Sequence, residues 1–238
     1  MKLKLLPPIR PYYERENVVL YHGSCHDIVP RMSGIDCILT DPPYGINLNI
    51  RDKSHAPSSY GALSNVYAPI AGDNRPFDPY WMIHANVPCC LWGANYFSDK
   101  LPGSGGWFVW DKRRPPWNSQ SQAELAWTNF SKGVRIFKHL WHGCNRESEL
   151  HEYFHPAQKP LLLWTWVLGG KWFPENVGTI LDPYCGSGSL LLACIRTKRR
   201  CIGIELSEEY CEITAKRCES LFLNEFGLPY SKPQTKKG

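Results

Sequence analysis

The chain has 238 residues, of which 43% are apolar, and a formal net charge of +5. That length and apolar content predict one domain, residues 1–238, with a sizeable core. No apolar run is long enough to span a membrane, and lysines and prolines interrupt the N-terminal segment, so we expect a soluble, intracellular protein. The ten cysteines form no Cys-x-x-Cys pair, which argues against a zinc ribbon and predicts reduced core thiols and no bound metal.

Short apolar runs that end in turn residues predict buried strands. They extend from Asn17 to Tyr21, Asp36 to Thr40, Val87 to Trp92, Trp107 to Trp110, Thr179 to Leu181 and Cys201 to Ile204. Each of the last two runs precedes a predicted helix, from Ser189 to Lys198 and from Ser207 to Phe222. This alternation of strands and helices indicates an α/β fold with a parallel sheet.

Two segments lack a sustained hydrophobic period. Residues 45–79 are rich in Ser, Asn, Pro and Gly, and they predict a long loop beside a functional site. Residues 112–155 predict a second irregular region, in which basic and tryptophan side chains alternate. The basic tail after Leu228 is predicted to be frayed.

The tetrapeptide Asp41, Pro42, Pro43 and Tyr44 directly follows the predicted strand that ends at Thr40. Open α/β sheets bind ligands at such carboxyl ends, and the prolines hold the backbone extended with its carbonyls exposed. An aromatic amino group is a poor nucleophile with two hydrogens, and the Asp41 carboxylate and the Pro42 carbonyl can each accept one of them. Tyr44 offers a ring on which an extracted base can stack.

A second motif, residues 179–189, predicts a strand, an acidic tip, a glycine turn and a helix start. Gly186 and Gly188 would let a ligand approach the backbone closely. The third glycine of a dinucleotide fingerprint is replaced by Leu191, which favours a compact nucleoside over a pyrophosphate cofactor. Glu205 ends the next strand, 19 residues beyond Gly186, where an acidic side chain can reach ribose hydroxyls.

The tetrapeptide at Asp41 resembles the catalytic motif of the DNA amino-methyltransferases, which methylate adenine N6 or cytosine N4. Residues 182–189 are similar to the S-adenosylmethionine motif of that family, and residues 155–160 to its His-Pro-x-Gln-Lys-Pro element, which begins a helix that lines the cofactor site. The resemblance implies a Rossmann-like methyltransferase sheet with helices on both faces, in the circularly permuted β-group order of phage-type adenine methyltransferases. The cofactor-binding residues that it implies are Asp182, Tyr184, Cys185, Gly186, Ser187, Gly188, Ser189, Glu205, His155, Gln158 and Lys159, with Lys159 pairing with the cofactor carboxylate.

Within this family an Asp at the first tetrapeptide position usually goes with adenine and a Ser with cytosine. The resemblance therefore implies transfer of a methyl group from S-adenosyl-L-methionine to a flipped adenine of double-stranded DNA. Cytosine N4, an amino group in RNA, and a catalytically silent DNA- or cofactor-binding subunit are the alternatives. Residues 112–155 are expected to form an embedded DNA-recognition segment. Its candidate phosphate and base contacts are Lys112, Arg113, Arg114 and Trp117.

Such an enzyme is expected in the cytoplasm of a bacterium or a phage-infected host. A homodimer and a partner restriction enzyme are both compatible with the sequence. The family often has Gly-Asp after its first strand, where this chain has Gly23 and Ser24, with Asp27 three residues later. The source of a contact to the cofactor adenine is therefore left open.

Overall fold

The computed structural model describes residues 9–47, 70–117, 121–142, 145–150 and 152–226. These ranges form a nine-stranded sheet, a two-stranded hairpin and five α-helices. The strands are β1 (Tyr13–Arg15), β2 (Val18–His22), β3 (Cys37–Thr40), β4 (Cys89–Trp92), β5 (Gly106–Asp111), β6 (Ala123–Thr128), β7 (Val134–Lys138), β8 (Trp141–His142), β9 (Asn145–Arg146), β10 (Thr179–Asp182) and β11 (Arg200–Glu205). The helices are α1 (Cys25–Ile28), α2 (Tyr80–Ile83), α3 (Leu161–Gly169), α4 (Ser189–Arg196) and α5 (Glu208–Phe226).

The large sheet has the strand order β1-β2-β11-β10-β3-β4-β6-β5-β7. The strands from β2 to β4 in this order are parallel, and β1 and β6 each run antiparallel to the neighbour they flank. At the far edge, β5 pairs antiparallel with β6 and parallel with β7. All six predicted strands and both predicted helices are present, so the predicted parallel α/β sheet is confirmed.

Helices cover both faces of the sheet, as predicted. Val18 and Leu20 point to one face, where they join a core cluster with residues of α3, α4 and α5. Val19, between them, points to the other face, where the cluster includes Met82 of α2 and Ile28 of α1. The alternation follows from the two-residue period of a strand, and the full burial of β3, β4 and β10 explains their continuous apolar runs.

The prediction that residues 112–155 are irregular was wrong, because β6, β7 and the small hairpin of β8 and β9 lie within them. The sequence signal is weak there: β7 is an edge strand whose residues are mostly exposed, and Glu124 interrupts the apolar run of β6. Helix α3 was implied by the resemblance at residues 155–160 but not by the hydrophobic pattern. Its sequence, LLLWTWVLG, is apolar on every side and has no 3.6-residue period.

Other expectations fall on residues outside the described ranges. Of the predicted loop over residues 45–79, residues 48–69 lie outside them, as does the whole predicted tail after Leu228. None of the helices in the described part of the chain has both the length and the apolar character needed to cross a membrane.

Two adjacent leucines of α3 provide a test of the buried core. Leu163 is completely buried, whereas Leu162 is 42% exposed. Both residues lie in the first turn of α3, so they share the same backbone structure. We expect Leu163→Ala to lower the free energy of unfolding by about 2–5 kcal/mol, because it removes buried methyl groups and leaves a cavity. Leu162→Ala should cost less than about 1 kcal/mol. Urea unfolding of both variants measures the difference, and equal losses would contradict this placement of α3.

Candidate active site

The two predicted motifs meet at the carboxyl ends of neighbouring strands. Strands β3 and β10 pair in parallel, so the tetrapeptide that follows β3 lies beside the turn that follows β10. The Thr40 hydroxyl donates a hydrogen bond of 2.7 Å to Asp182 Oδ1, joining residues that are 142 positions apart. A cavity of about 920 Å³ opens here. Every predicted catalytic and cofactor-binding residue lines it except Gly188.

The Asp41 carboxylate is held by two donors. The Tyr44 hydroxyl donates to Oδ1, and the Lys159 ammonium donates to Oδ2. Lys159 also donates to the Tyr44 hydroxyl oxygen at 3.0 Å, which closes a triangle around the carboxylate. Burial raises the pKa of Asp41, and the Lys159 charge acts against that rise. Each carboxylate oxygen can accept more than one hydrogen bond, so both retain capacity for a ligand.

The Tyr44 ring is packed between the protein and the cavity. Tyr96, which is 47% exposed, stacks on it with ring centroids 5.0 Å apart and an interplanar angle of 15°. A Cβ atom built on Gly93 would lie only 1.9 Å from the Tyr44 ring, so only a glycine leaves room for this placement. Tyr96 was not singled out in the sequence, and it extends the predicted stacking surface of Tyr44 into the cavity.

The glycine turn after β10 is closed by backbone and carboxylate contacts. Glu205 accepts the Gly186 amide at 2.9 Å and the Ser207 amide at 2.8 Å, and it still lines the cavity. Gly188 has a different role from the predicted one. Its φ is +80°, and a Cβ atom there would lie 2.5 Å from the Thr214 side chain, so the glycine is required by the packing of α5.

One buried hydroxyl in this turn points to a ligand. Ser189, the first residue of α4, is 6% exposed and lines the cavity, yet its Oγ has no hydrogen-bond partner within the described residues. An unsatisfied buried hydroxyl is costly, and a polar ligand in the cavity would supply the missing partner. The residues of the turn therefore fit a nucleoside-type cofactor.

The predicted element at residues 155–160 forms the wall of the cavity before α3. His155 Nδ1 accepts the Ala157 amide at 3.1 Å, which leaves Nε2 as the protonated nitrogen, and burial lowers the pKa of His155 to about 4. Gln158 is buried, and its side chain accepts the Phe154 amide and donates to Glu149. The Gln158 side chain therefore holds the wall together, and α3 begins at Leu161, just after this element as predicted.

Arg217 of α5 connects this wall to the glycine turn, and no sequence motif pointed to this residue. Its guanidinium donates to the Ser187 carbonyl at 2.6 Å and to Glu149 at 3.2 Å. Glu149 in turn accepts the Leu161 amide at 2.8 Å. Three distant segments are thereby fixed around the turn.

Lys159 has two carboxylate partners within the protein. It was expected to pair with a cofactor carboxylate; in the structure its ammonium lies between Asp41 and Glu124, 3.1 Å from Glu124 Oε2. Lys112 pairs with the other oxygen of Glu124. Glu124 lies in β6, within the region that was predicted to be irregular, and the only sequence signal for it is a single acid inside an apolar run.

Comparison with known proteins identifies the family. Residues 95–216, slightly more than half of the chain, match the model of the DNA methylase family of N6 and N4 methyltransferases. The chain belongs to this DNA methylase family. The matched residues include the glycine turn and the wall at residues 155–160, and Asp41 lies before them.

Known DNA methylases resemble this one over most of its length. The type II methyltransferase M.ScaI of Streptomyces caespitosus is 26% identical over 89% of this chain and 84% of its own. The type II methyltransferase M2.LlaDCHI of Lactococcus lactis subsp. cremoris is 25% identical, over 87% and 91%. Among solved structures, the cytosine-N4-specific PvuII DNA methyltransferase aligns with a TM-score of 0.59 at 14% identity, covering 88% of this chain and 89% of that one. This last similarity confirms the Rossmann-like methyltransferase fold.

The predicted DNA-contacting residues of this methylase lie in different environments. Lys112 is buried against Glu124, a placement that does not suit a phosphate contact. Arg114 lines the cavity and donates to the Trp141 carbonyl at 3.2 Å. Arg113 is exposed and pairs with Glu147, and Trp117 is 85% exposed.

Ser24 occupies the place where the family often has Asp. It lines the cavity and caps α1 by accepting the His26 amide at 3.3 Å, whereas Asp27 is exposed and does not reach the cavity. Asp27 therefore does not replace the missing carboxylate.

Asp182 should make the stability of this methylase depend on pH. Burial raises the pKa of Asp182 from 3.8 to about 7. A carboxyl group with a raised folded-state pKa stabilises the fold fully below its unfolded pKa, and that contribution is lost as the pH rises toward 7. The loss should reach about 4 kcal/mol at most. Asp182→Asn keeps the Oδ1 acceptor for Thr40, so we expect its unfolding free energy to fall less than that of the wild type between pH 4 and about 7. Parallel curves in urea titrations would show that Asp182 does not titrate in this window.

Proposed function

We propose that this DNA methylase transfers the methyl group of S-adenosyl-L-methionine to the N6 amino group of a flipped adenine in double-stranded DNA. The observation that carries the proposal is the placement of Asp41 and the glycine turn in one cavity, joined by the Thr40–Asp182 hydrogen bond. Adenine is favoured because an Asp stands at the first tetrapeptide position. Two relatives named type II methyltransferases support DNA as the substrate.

The residues of the glycine turn would hold the cofactor. Glu205 lines the cavity at the end of β11, where its carboxylate can accept ribose hydroxyls, and the Ser189 hydroxyl can bond a polar group of the ligand. His155 remains neutral near pH 7 and adds no positive charge to this part of the cavity. When bound, the cofactor supplies an activated methyl group on a sulfonium.

Asp41 and Pro42 would prepare the target nitrogen. The amino lone pair of adenine is delocalised into the ring, and acceptors for its two hydrogens draw the nitrogen toward a tetrahedral geometry. The Asp41 carboxylate accepts one hydrogen and the Pro42 carbonyl the other. The stacked pair of Tyr44 and Tyr96 offers the flipped base a planar surface, which offsets part of the cost of unstacking it from the duplex.

Contacts to the DNA backbone would come from the exposed part of the segment that follows β5. Arg113 and Trp117 are exposed there, and Arg114 lies at the cavity. Lys112 is left out of this set because its side chain is buried as well as paired with Glu124. A homodimer and a restriction-enzyme partner remain predictions from the sequence.

Two other functions are considered: methylation of cytosine N4, and binding without catalysis. Cytosine N4 has the same pair of hydrogens and can be gripped by the same acceptors, and the PvuII enzyme of similar fold is cytosine-N4-specific. A catalytically silent binding subunit would have no need of the Asp41 carboxylate, which is held by two donors.

Nucleoside analysis tests the proposal directly. After incubation with labelled S-adenosylmethionine and duplex DNA, we expect the label in N6-methyladenine. Asp41→Ala should lower the rate by about 10²–10³-fold, because it removes an acceptor that acts at the reacting nitrogen. Label in N4-methylcytosine or in RNA would favour an alternative target. Cofactor binding without any transfer, measured by calorimetry, would favour the silent subunit.

A pair of glycines tests the placement of Tyr44. Gly93→Ala puts a Cβ against the Tyr44 ring, whereas Gly34→Ala shares the same backbone conformation, with φ of +72° against +71°, and meets nothing within 4 Å. We expect Gly93→Ala to lower methyl transfer by about 10–100-fold, because a displacement near 1 Å misaligns the base. Gly34→Ala should lose only stability, through the same backbone strain. Similar activity in both variants would show that the position of the Tyr44 ring does not matter.

A further inference from the structure

Four side chains of alternating charge extend from the sheet to the catalytic aspartate. Lys112 pairs with Glu124, Glu124 lies 3.1 Å from the Lys159 ammonium, and Lys159 donates to Asp41. We call these four residues the charge chain. Its members come from the segment after β5, from β6, from the wall before α3 and from the loop after β3.

The charge chain is largely withdrawn from water. The side chains of Lys159, Lys112, Asp41 and Glu124 are 5%, 9%, 15% and 16% exposed. Buried charges are tolerated when they are paired, and removing one partner leaves the other uncompensated. Glu124 Oε2 lies 3.1 Å from the Lys159 ammonium, so Glu124 acts on Lys159 as a close counter-charge.

We propose that Lys159, held by Glu124, is a positioning residue that fixes the Asp41 carboxylate in its ionised form, facing the base amino group. This inference rests on the proposed function, in which Asp41 accepts an amino hydrogen. An ionised carboxylate only accepts hydrogen bonds, whereas a protonated one presents an O–H group toward the amino hydrogens. The triangle of Lys159, Tyr44 and Asp41 also fixes the plane of the carboxylate.

The surroundings of Asp41 make this role necessary. Burial raises the pKa of Asp41, the Lys159 charge lowers it, and the Glu124 charge raises it again. Asp182 of β10 also interacts with Asp41, and the Tyr44 hydroxyl donates to it. Lys159 is thus the cation that directly faces Asp41 among the described residues, and its positive charge is in turn favoured by Asp41 and Glu124.

Loss of Lys159 should move the pH dependence of the rate to higher pH. Without Lys159, burial and Glu124 both act to protonate Asp41, so its pKa rises further. Asp41 is then inactive up to a higher pH, and the acid limb of the pH–rate profile moves upward. If Lys159 instead bound the cofactor carboxylate, its loss would weaken cofactor binding and leave the limb in place.

Three variants test the role of Lys159. Lys159→Met removes the charge and keeps most of the side-chain length, Lys159→Arg keeps the charge, and Glu124→Gln removes the counter-charge. For each variant, kcat is measured against pH with saturating DNA and S-adenosylmethionine, and the Kd of the cofactor is measured by calorimetry without DNA.

We expect Lys159→Met to lower kcat at neutral pH by about 100-fold and to shift the acid limb upward by about one pH unit or more. Its cofactor Kd should change by less than about threefold. Lys159→Arg should restore most of the rate and return the limb toward that of the wild type. An unmoved limb, or a Kd weakened as much as kcat/KM, would overturn the proposal.

For Glu124→Gln we expect a smaller loss of kcat than for Lys159→Met, because Lys159 would still face Asp41. A loss as large as that of Lys159→Met with a normal pH profile would show that Glu124 acts independently of Lys159, which contradicts the charge chain.

An unfolding cycle separates this inference from the proposed function, since it needs no activity. The urea midpoints of the wild type, Lys159→Met, Asp41→Asn and the double variant are compared. The double variant should be more stable than Lys159→Met alone, because it no longer contains a buried carboxylate without its cation. Additive losses would overturn the pairing itself. If the wild type methylates no DNA while the cycle shows coupling, the proposed function fails and the pairing stands.

Discussion

The site depends on the parallel pairing of β3 with β10. This pairing places two strand ends, far apart in the chain, within one hydrogen bond of each other through Thr40 and Asp182. The tetrapeptide and the glycine turn then share a cavity, because β3 and β10 have their carboxyl ends on the same side of the sheet. The buried Asp182 carboxyl that makes this link has a strongly raised pKa, so the junction is bonded at some cost in stability.

The charge chain imposes a second constraint. Its four charged groups are largely removed from water, so each must be held close to a partner of opposite charge. Glu124 lies in β6 and Lys112 directly follows β5, and these two paired strands belong to the far side of the sheet. Trp110 and Trp127 are almost fully buried in this region, and Trp110 also lies against the Lys112 ammonium at 4.9 Å. Of the ten tryptophans, all of which lie in the described ranges, Trp117 alone is largely exposed, so the others contribute mainly to the packing of the protein.

The sequence predicts best the parts whose signal is local. The strands β3 and β10 are continuous apolar runs, and the motifs at Asp41 and Gly186 follow them directly, so fold class and cavity position could both be inferred. The ion-pair partners of individual side chains were harder to infer. Lys159 occurs in a recognisable element, but its neighbour Glu124 comes from a strand whose pattern is masked by that same charge, and the pairing of the two is a property of the tertiary fold. For the same reason Lys112 was predicted to contact DNA, because basic residues surround it in the sequence, although in the fold it pairs with Glu124. The permuted motif order stays a prediction.

In the proposed function, the buried cations and the exposed cations have different tasks. With Asp41 ionised, as proposed, Lys112 and Lys159 balance Glu124 and Asp41, so the charge chain carries no net charge and adds little long-range attraction for phosphates. In the proposed function, the attraction of DNA comes from exposed groups such as Arg113, and salt screens their effect. The interior pairs are shielded from that screening. A protein arranged in this way can lose DNA affinity at high salt while the ionised state of Asp41 is preserved, because the two tasks use different cations in different dielectric environments.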